Sequence, residues 1–341
     1  MRTHLRTAVV LLVAAGLVAF FLRDVDLRRV GRDIAGAQPA WLAIGLSCTV
    51  VNLVIRAYRW RYLLEPLGYT TFGESFRATA VGFAANTILP ARAGEVIRPY
   101  FVSRFSSRTE RMSASGAFAT IIIERMLDVI TVLLLVTSYV LLFGGAAATS
   151  NPTAFVWLTW IAAFAGVAAL AGLALLFVLA GDPARLGRAT APLMRLVPSL
   201  AARLTRVVEN FAHGLAVVRR PSRLAVALAW SLPLWLSIAV GIWSVAMAFR
   251  IALPFAGSFL VIALLVLGVA VPTPGAVGGY HTAFRYGATT FFGASDAAAV
   301  GAAIVAHLFS VLPTLVLGLF FAGQAGLNMS QLSTLTADEP V

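Results

Sequence analysis

The sequence predicts an all-α integral membrane protein, a polytopic helical bundle made of two inverted repeats. Three observations lead there. Of its 341 residues, 60% are hydrophobic and only 12% charged, whereas soluble domains run near one half and about one quarter. Apolar runs recur along the whole length, unlike the short alternating segments of a membrane β-barrel. Two of those runs are interrupted by proline and glycine, one in each half of the chain.

The elements follow in order. A bilayer core of ~30 Å needs about 20 helical residues to cross. The first span fits 5–22. Its basic start and apolar core resemble a signal peptide, yet RDVDLRR follows at once without a small-residue cleavage site, so a retained helix is expected. Further spans fit 40–58, 112–142, 154–180, 224–248 and 297–322, while 76–100 breaks at LPARAGE and 257–292 at VPTPGAVGGYH. Irregular backbone persists at membrane depth only where protein or a water-filled cavity surrounds it. Both broken runs are therefore expected to be re-entrant hairpins.

Each half then reads helix, helix, broken hairpin, helix, over about 5–142 and 154–322. Ser75-Phe76 precedes Pro90, and Ser258-Phe259 precedes Pro272 and Pro274, by 13 to 16 positions. An odd number of crossings per half turns the second half upside down, the plan of transporters whose substrate site lies at midplane between discontinuous helices. Eight full spans with a parallel repeat is the alternative. A single membrane domain over 1–330 is expected, with 331–341 a disordered cytoplasmic tail.

All 26 basic residues are arginine, and the net charge is +12. In a membrane protein such an excess marks cytoplasmic loops and anionic headgroups rather than nucleic acid. Arg56, Arg59, Arg61, Arg77, Arg98 and Arg104 fall toward one side, together with the eight arginines of 181–223. On the other side Arg23, Arg28, Arg29 and Arg32 are partly offset by Asp24, Asp26 and Asp33. Both termini are thus expected in the cytoplasm of an inner membrane, with 104–111 and 181–223 inside and 144–152 outside. Leu200, Leu204, Val207, Phe211 and Leu215 recur at helical spacing, which suits an interfacial helix or a plain connector. Cys48 stands alone, so neither an intrachain disulfide nor a cysteine metal site forms, and HExxH, P-loop and dinucleotide motifs are absent. No cofactor is expected.

The chemistry concentrates in NTILPARAGEVIRPYF, residues 86–101. There Pro90 ends a helix, Gly94 permits a close turn, and Arg92, Glu95 and Arg98 fall within seven positions. A charge at midplane costs at least ~2.5–3.5 kcal/mol by insertion scales, so these residues must pair or line a wet cavity. A planar guanidinium fork suits phosphate; the same set would also hold an ammonium, or simply pin the hairpin as an Arg–Glu pair. In IIIERMLDVI, Glu124 and Asp128 share a helix face, with Arg125 about 100° around. Two acids and one base do not balance. Either Arg92 or Arg98 supplies the missing cation, or one acid is protonated, which would allow proton coupling; a charge-compensated structural knot is the alternative. The second half repeats the architecture without the charge. Pro272, Pro274, Gly275, Gly278 and Gly279 shape its turn, and His281, Arg285 and His307 are its polar or proton partners, although a lone helical histidine is more often a packing residue.

These three segments, in this order and with RAYRW closing the second span, resemble the signature segments of the flippase-like membrane family, that of the transmembrane domain of lysylphosphatidylglycerol synthase. The resemblance runs over about 5–325. It implies movement of a polar-headed lipid between leaflets, such as an aminoacylated phosphatidylglycerol or a polyprenyl-linked intermediate. Arg92, Glu95, Arg98, Glu124, Arg125 and Asp128 match polar positions of its motifs and are the substrate-binding candidates. Where the family often carries a Glu after the second-half glycines, this chain has Tyr280-His281. The synthetase domain of larger relatives does not occur in this sequence, so synthesis of the lysyl lipid is not expected of it. The expected function is a lipid translocase whose partners are a membrane phospholipid or polyprenyl-linked lipid and, as a second candidate, a lipid-modifying enzyme. The alternatives are a membrane-embedded enzyme of lipid or glycan assembly, for which no nucleophile stands beside a base, and a non-transporting scaffold for such an enzyme.

Overall fold

A computed structural model describes residues 26–89, 92–105, 112–150, 152–181, 210–211, 214–215, 220–270 and 274–325, and every regular element among them is helical. The expected first span, Pro90, Pro272, the tail, all of 106–111 and most of 181–219 lie outside the described residues. Asp26 caps α1 (Leu27–Ala35) by accepting from the backbone of Arg28 and Arg29. This segment, read from sequence as part of an outer loop, is a short amphipathic helix that buries Val30 and packs on the last helix.

The remaining helices are α2 (Pro39–Leu64), α3 (Phe72–Ile88), α4 (Gly94–Phe105), α5 (Ala114–Ser150), α6 (Pro152–Gly181), α7 (Pro221–Ala248), α8 (Gly257–Val269), α9 (Gly279–Phe292) and α10 (Asp296–Gln324). Among the described residues, Pro39–Leu67, Phe155–Gly172, Pro221–Ala248 and Asp296–Gln324 are long and apolar enough to cross a membrane. On α6, Trp157, Phe164 and Val167 point outward with 66 to 78% exposure, a surface that water disfavours and lipid accepts. This is a multi-pass membrane protein. The connector expected at 144–152 is not a loop: α5 stays helical to Ser150, and α6 opens on Pro152, whose missing N–H is no loss in a first helical turn.

A long helix, a broken pair and a long helix occur twice, as α2, α3–α4, α5 and as α7, α8–α9, α10. The equivalent helices α2 and α7 pack side by side. Gln38 N donates to Ala248 O at 3.1 Å, Asn52 Nδ2 to Leu234 O at 3.0 Å and Arg59 Nη1 to Ser231 Oγ at 2.7 Å. Numbers rise along α2 as they fall along α7, so the two run antiparallel and the halves are inverted. The parallel alternative fails on this pair. Contacts are exchanged reciprocally, with α10 lying on α3 and α5 on α8.

The arms of the broken pairs have 17, 12, 13 and 14 residues, or about 18 to 26 Å at 1.5 Å per residue. Each is shorter than a ~30 Å core. Both pairs close over glycines. A Cβ on Gly94 would sit 2.6 Å from Asn86 Oδ1 and collide with the backbone oxygen of Gly82, and one on Gly279 would collide with the backbone of Gly268. Gly94 therefore serves close approach of two helices. The tips themselves turn through left-handed backbone at Arg92 (φ 55°) and at Gly275 (60°), Ala276 (56°) and Gly278 (90°).

Candidate functional site

Helical periodicity puts Glu124 and Asp128 on one face of α5, and tertiary packing surrounds them with arginines. Glu124 Oε1 lies 2.6 Å from Arg125 Nη2, 3.1 Å from Arg98 Nη1 and 3.3 Å from Arg59 Nη2. Asp128 Oδ1 accepts from Arg59 Nη1 at 2.7 Å and from Trp235 Nε1 at 3.0 Å, while Oδ2 lies 3.2 Å from Arg125 Nη2. Arg56 Nη1 stands further off, 3.9 Å from Glu124 and 3.8 Å from Asp128. Behind the cluster the Arg98 guanidinium sits 3.9 Å over the Trp60 ring, and Trp60 Nε1 is tied to Thr120 Oγ1 at 3.0 Å. An aromatic face beneath a cation adds electrostatic support where water is excluded.

Arg98 thus supplies the missing cation, joined by Arg56 and Arg59, which the charge bias counts among loop and margin arginines and the structure buries. α2 continues to Leu64, beyond the expected end of its span at 58, and Arg59 is fully buried. The signal was present in RAYRW: two arginines three apart share a helix face, and they close an apolar run. Trp235, Asn52 and Ser231 were also missed, because only the α2–α7 register brings them to this cluster.

A cavity of about 550 Å³ opens beside the cluster, between the two halves. Arg56, Arg125 and Asp128 line it, and so do Arg92 and Glu95 from the first hairpin and Gly275, Tyr280 and His307 from the second half. Arg98, Glu124 and Arg59 do not reach it and form the layer behind its wall. Of the six residues expected to touch a ligand, Arg98 and Glu124 are therefore placed to position the others. Arg92, with its side chain 47% exposed, reaches Glu95 at 3.8 Å and the Val269 carbonyl at 3.4 Å, which links one hairpin tip to the other. Its left-handed backbone costs roughly 1–2 kcal/mol in a non-glycine residue, strain of the kind that gathers at ligand clamps and switches.

On the facing side, His307 Nε2 meets Gly275 O at 2.7 Å, and the His307 ring packs against Tyr280 and His281 with centroids 4.9 and 4.5 Å away. Gly278 N donates to His281 Nδ1 at 3.3 Å. Arg285 is not in the cavity; it forms an ion pair with Asp296 at the start of α10. The cavity hydroxyls of Ser237 and Ser310 donate to carbonyls of their own helices, Leu234 O at 2.6 Å and His307 O at 2.8 Å. The site is therefore built to hold charge: guanidinium forks gather on one wall, and the bulk of the lining is apolar.

Fold and site together define a polytopic helical membrane protein with inverted halves around an arginine-rich cavity. Residues 7–318 match the model of the lysylphosphatidylglycerol synthase TM region, and the chain belongs to that family. It is similar to the UPF0104 membrane protein MJ1595 of Methanocaldococcus jannaschii, with 23% identity over 126 residues, 36% of each chain. It is also similar to the glycosyltransferase AglD of Haloferax volcanii, with 31% identity over 123 residues, 36% of this chain but only 19% of that one. These matches span well under two thirds of either relative.

Proposed function

We propose that the protein is a lipid translocase that moves a polar-headed lipid between the leaflets of a cytoplasmic membrane, with both termini on the cytoplasmic side. One observation carries the reading: a cavity lined by both broken hairpins and by buried charge sits at the junction of two inverted halves. That is where substrate sites of inverted-repeat transporters are found. The hairpins are re-entrant on this reading, and the headgroup enters the cavity while the acyl chains remain in lipid. Arg92, Glu95, Arg125 and Asp128 contact the headgroup, and Arg98 and Glu124 hold Arg125 and its neighbours in place. Exchange of the contacts between hairpin tips, Arg92 on Val269 O among them, would open the cavity first to one leaflet and then to the other.

Arg92→Lys tests this reading. The substitution keeps the charge and loses the planar fork, and Arg92 makes only long contacts within the protein, so folding is expected to be normal. Movement of fluorescent lipids in reconstituted vesicles is expected to fall severalfold. Undiminished movement by the well-folded variant would reduce Arg92 to a structural charge, and no movement by the wild type with any lipid tried would remove the translocase.

A second reading is supported by the similarity to a protein named a glycosyltransferase. A membrane-embedded step of lipid or glycan assembly would reveal itself as chemical turnover of lipid by the purified protein. The translocase reading expects lipid to be moved unchanged.

A further inference from the structure

We infer that the cavity takes a terminal phosphate carrying two negative charges, a phosphomonoester or diphosphate on a lipid, and not an aminoacyl phosphodiester. This deepens the translocase reading and uses the same cavity. Among the described residues the buried cluster sets Arg56, Arg59, Arg98 and Arg125 against Glu124 and Asp128, a surplus of two positive charges. Arg92 and Glu95 offset one another at the rim. Buried charge is tolerated when it is compensated, and among the described residues part of that compensation is missing.

Two of these four arginines, Arg56 and Arg125, line the cavity. Arg59, Arg98 and Arg125 each lie within 3.3 Å of a carboxylate oxygen, whereas Arg56 stands 3.8 Å from its nearest. The Arg56 side chain is only 9% exposed, lines the cavity, and leaves Nη1 without a hydrogen-bond partner. Its direction is set from behind: Nε donates to Asn52 Oδ1 at 2.9 Å, and Asn52 is anchored to Leu234 O and Ser237 on α7. On Arg125, likewise cavity-lining, Nε also lacks a partner. Arg59 and Arg98 also keep N–H groups without a partner, but only Arg56 and Arg125 join that property to a place on the cavity lining. Two such guanidiniums suit an oxyanion bound through several charge-assisted hydrogen bonds.

Headgroup charge decides among lipids. An aminoacyl headgroup adds positive charge to a positive site. A phosphodiester brings a single negative charge and leaves the site positive. A phosphomonoester carries about −1.5 to −2 at neutral pH, with a second pKa near 6, and closes the balance. The apolar lining, with Ile242, Val245 and Leu265 in it, suits the carbons next to a lipid headgroup better than a free anion.

The test is native mass spectrometry of the purified full chain in mild detergent, titrated with dioleoyl phosphatidate, phosphatidylglycerol and lysylphosphatidylglycerol. Phosphatidate is expected to bind at least about tenfold more tightly than phosphatidylglycerol, since its second negative charge compensates buried positive charge that a phosphodiester leaves over, and the lysyl lipid most weakly. A lysyl lipid that binds as tightly as phosphatidate overturns the inference. Arg56→Gln should abolish the preference, and Arg56→Lys should restore part of it; a folded Arg56→Gln protein that keeps the full preference also overturns it. If Arg56→Gln fails to fold, the wild-type ranking decides. Millimolar inorganic phosphate is expected not to displace bound phosphatidate, and displacement by equal concentrations would assign the site to a free anion and remove the lipid. Phosphatidate bound but never moved across reconstituted vesicles would leave this inference standing and remove the translocase. Preferred movement of the lysyl lipid would do the reverse.

Discussion

The two hairpins share a backbone device and differ in chemistry. α3–α4 and α8–α9 are both short-armed, both close over a glycine pair, and both turn through left-handed residues at the tip. Yet the first carries Arg92, Glu95 and Arg98 and is backed by the acids of α5, while the second presents the Gly275 carbonyl, Tyr280 and His281 to His307 of α10. Geometry was duplicated and charge was not. The inverted architecture therefore needs only the shape of the hairpin, and among the described residues the buried cluster of ion pairs is built by the first half alone. Ions are costly in a low-dielectric interior unless concentrated where they compensate one another, which favours one dense cluster over two sparse ones.

The largest expected effect tests the charged side of that comparison. Glu124 is shared by Arg59, Arg98 and Arg125 within 3.3 Å, so Glu124→Gln leaves their buried charges undercompensated. Breaking a buried ionic set in this way costs ~3–5 kcal/mol. The variant is expected to melt well below the wild type in detergent, or to fail to yield monodisperse protein; an unchanged melting curve would show that the cluster is not what holds α2, α4 and α5 together.

Next come the glycines, where the hairpins should behave alike. Gly94→Ala and Gly279→Ala each force a methyl group against a facing backbone, and overpacking of this kind costs typically ~1–3 kcal/mol. Similar losses in thermal stability would confirm that the two closures are mechanically equivalent. A loss at Gly94 alone would mean that the second hairpin closes by other means.

The smallest effect belongs to the neutral side. His307→Ala removes the contact between Nε2 and Gly275 O, and a single hydrogen bond contributes about 0.5–1.5 kcal/mol net. Thermal unfolding should register a modest shift. A drop as deep as that of Glu124→Gln would break the contrast between the hairpins.

Periodicity and composition by themselves determined that the chain is helical and membrane-spanning, that it breaks near 90 and 272, and that Glu124 and Asp128 face the same way. Those are local properties, since side chains four apart on a helix share a face whatever the helix packs against. An odd number of crossings pointed to inversion, and the antiparallel α2–α7 pair bears it out. Only the tertiary structure decided which cations meet those acids. Arg92 and Arg98 are neighbours in sequence, yet one lies at the cavity rim and the other behind the wall. Arg56 and Arg59 looked like a cytoplasmic margin and prove to be part of the buried site. The reason is that pairing between helices depends on their register and rotation about their axes. Close contacts far from the charges set both, such as the approach of Gly45 to Gly241 and Val245, and no residue spacing along one helix encodes them.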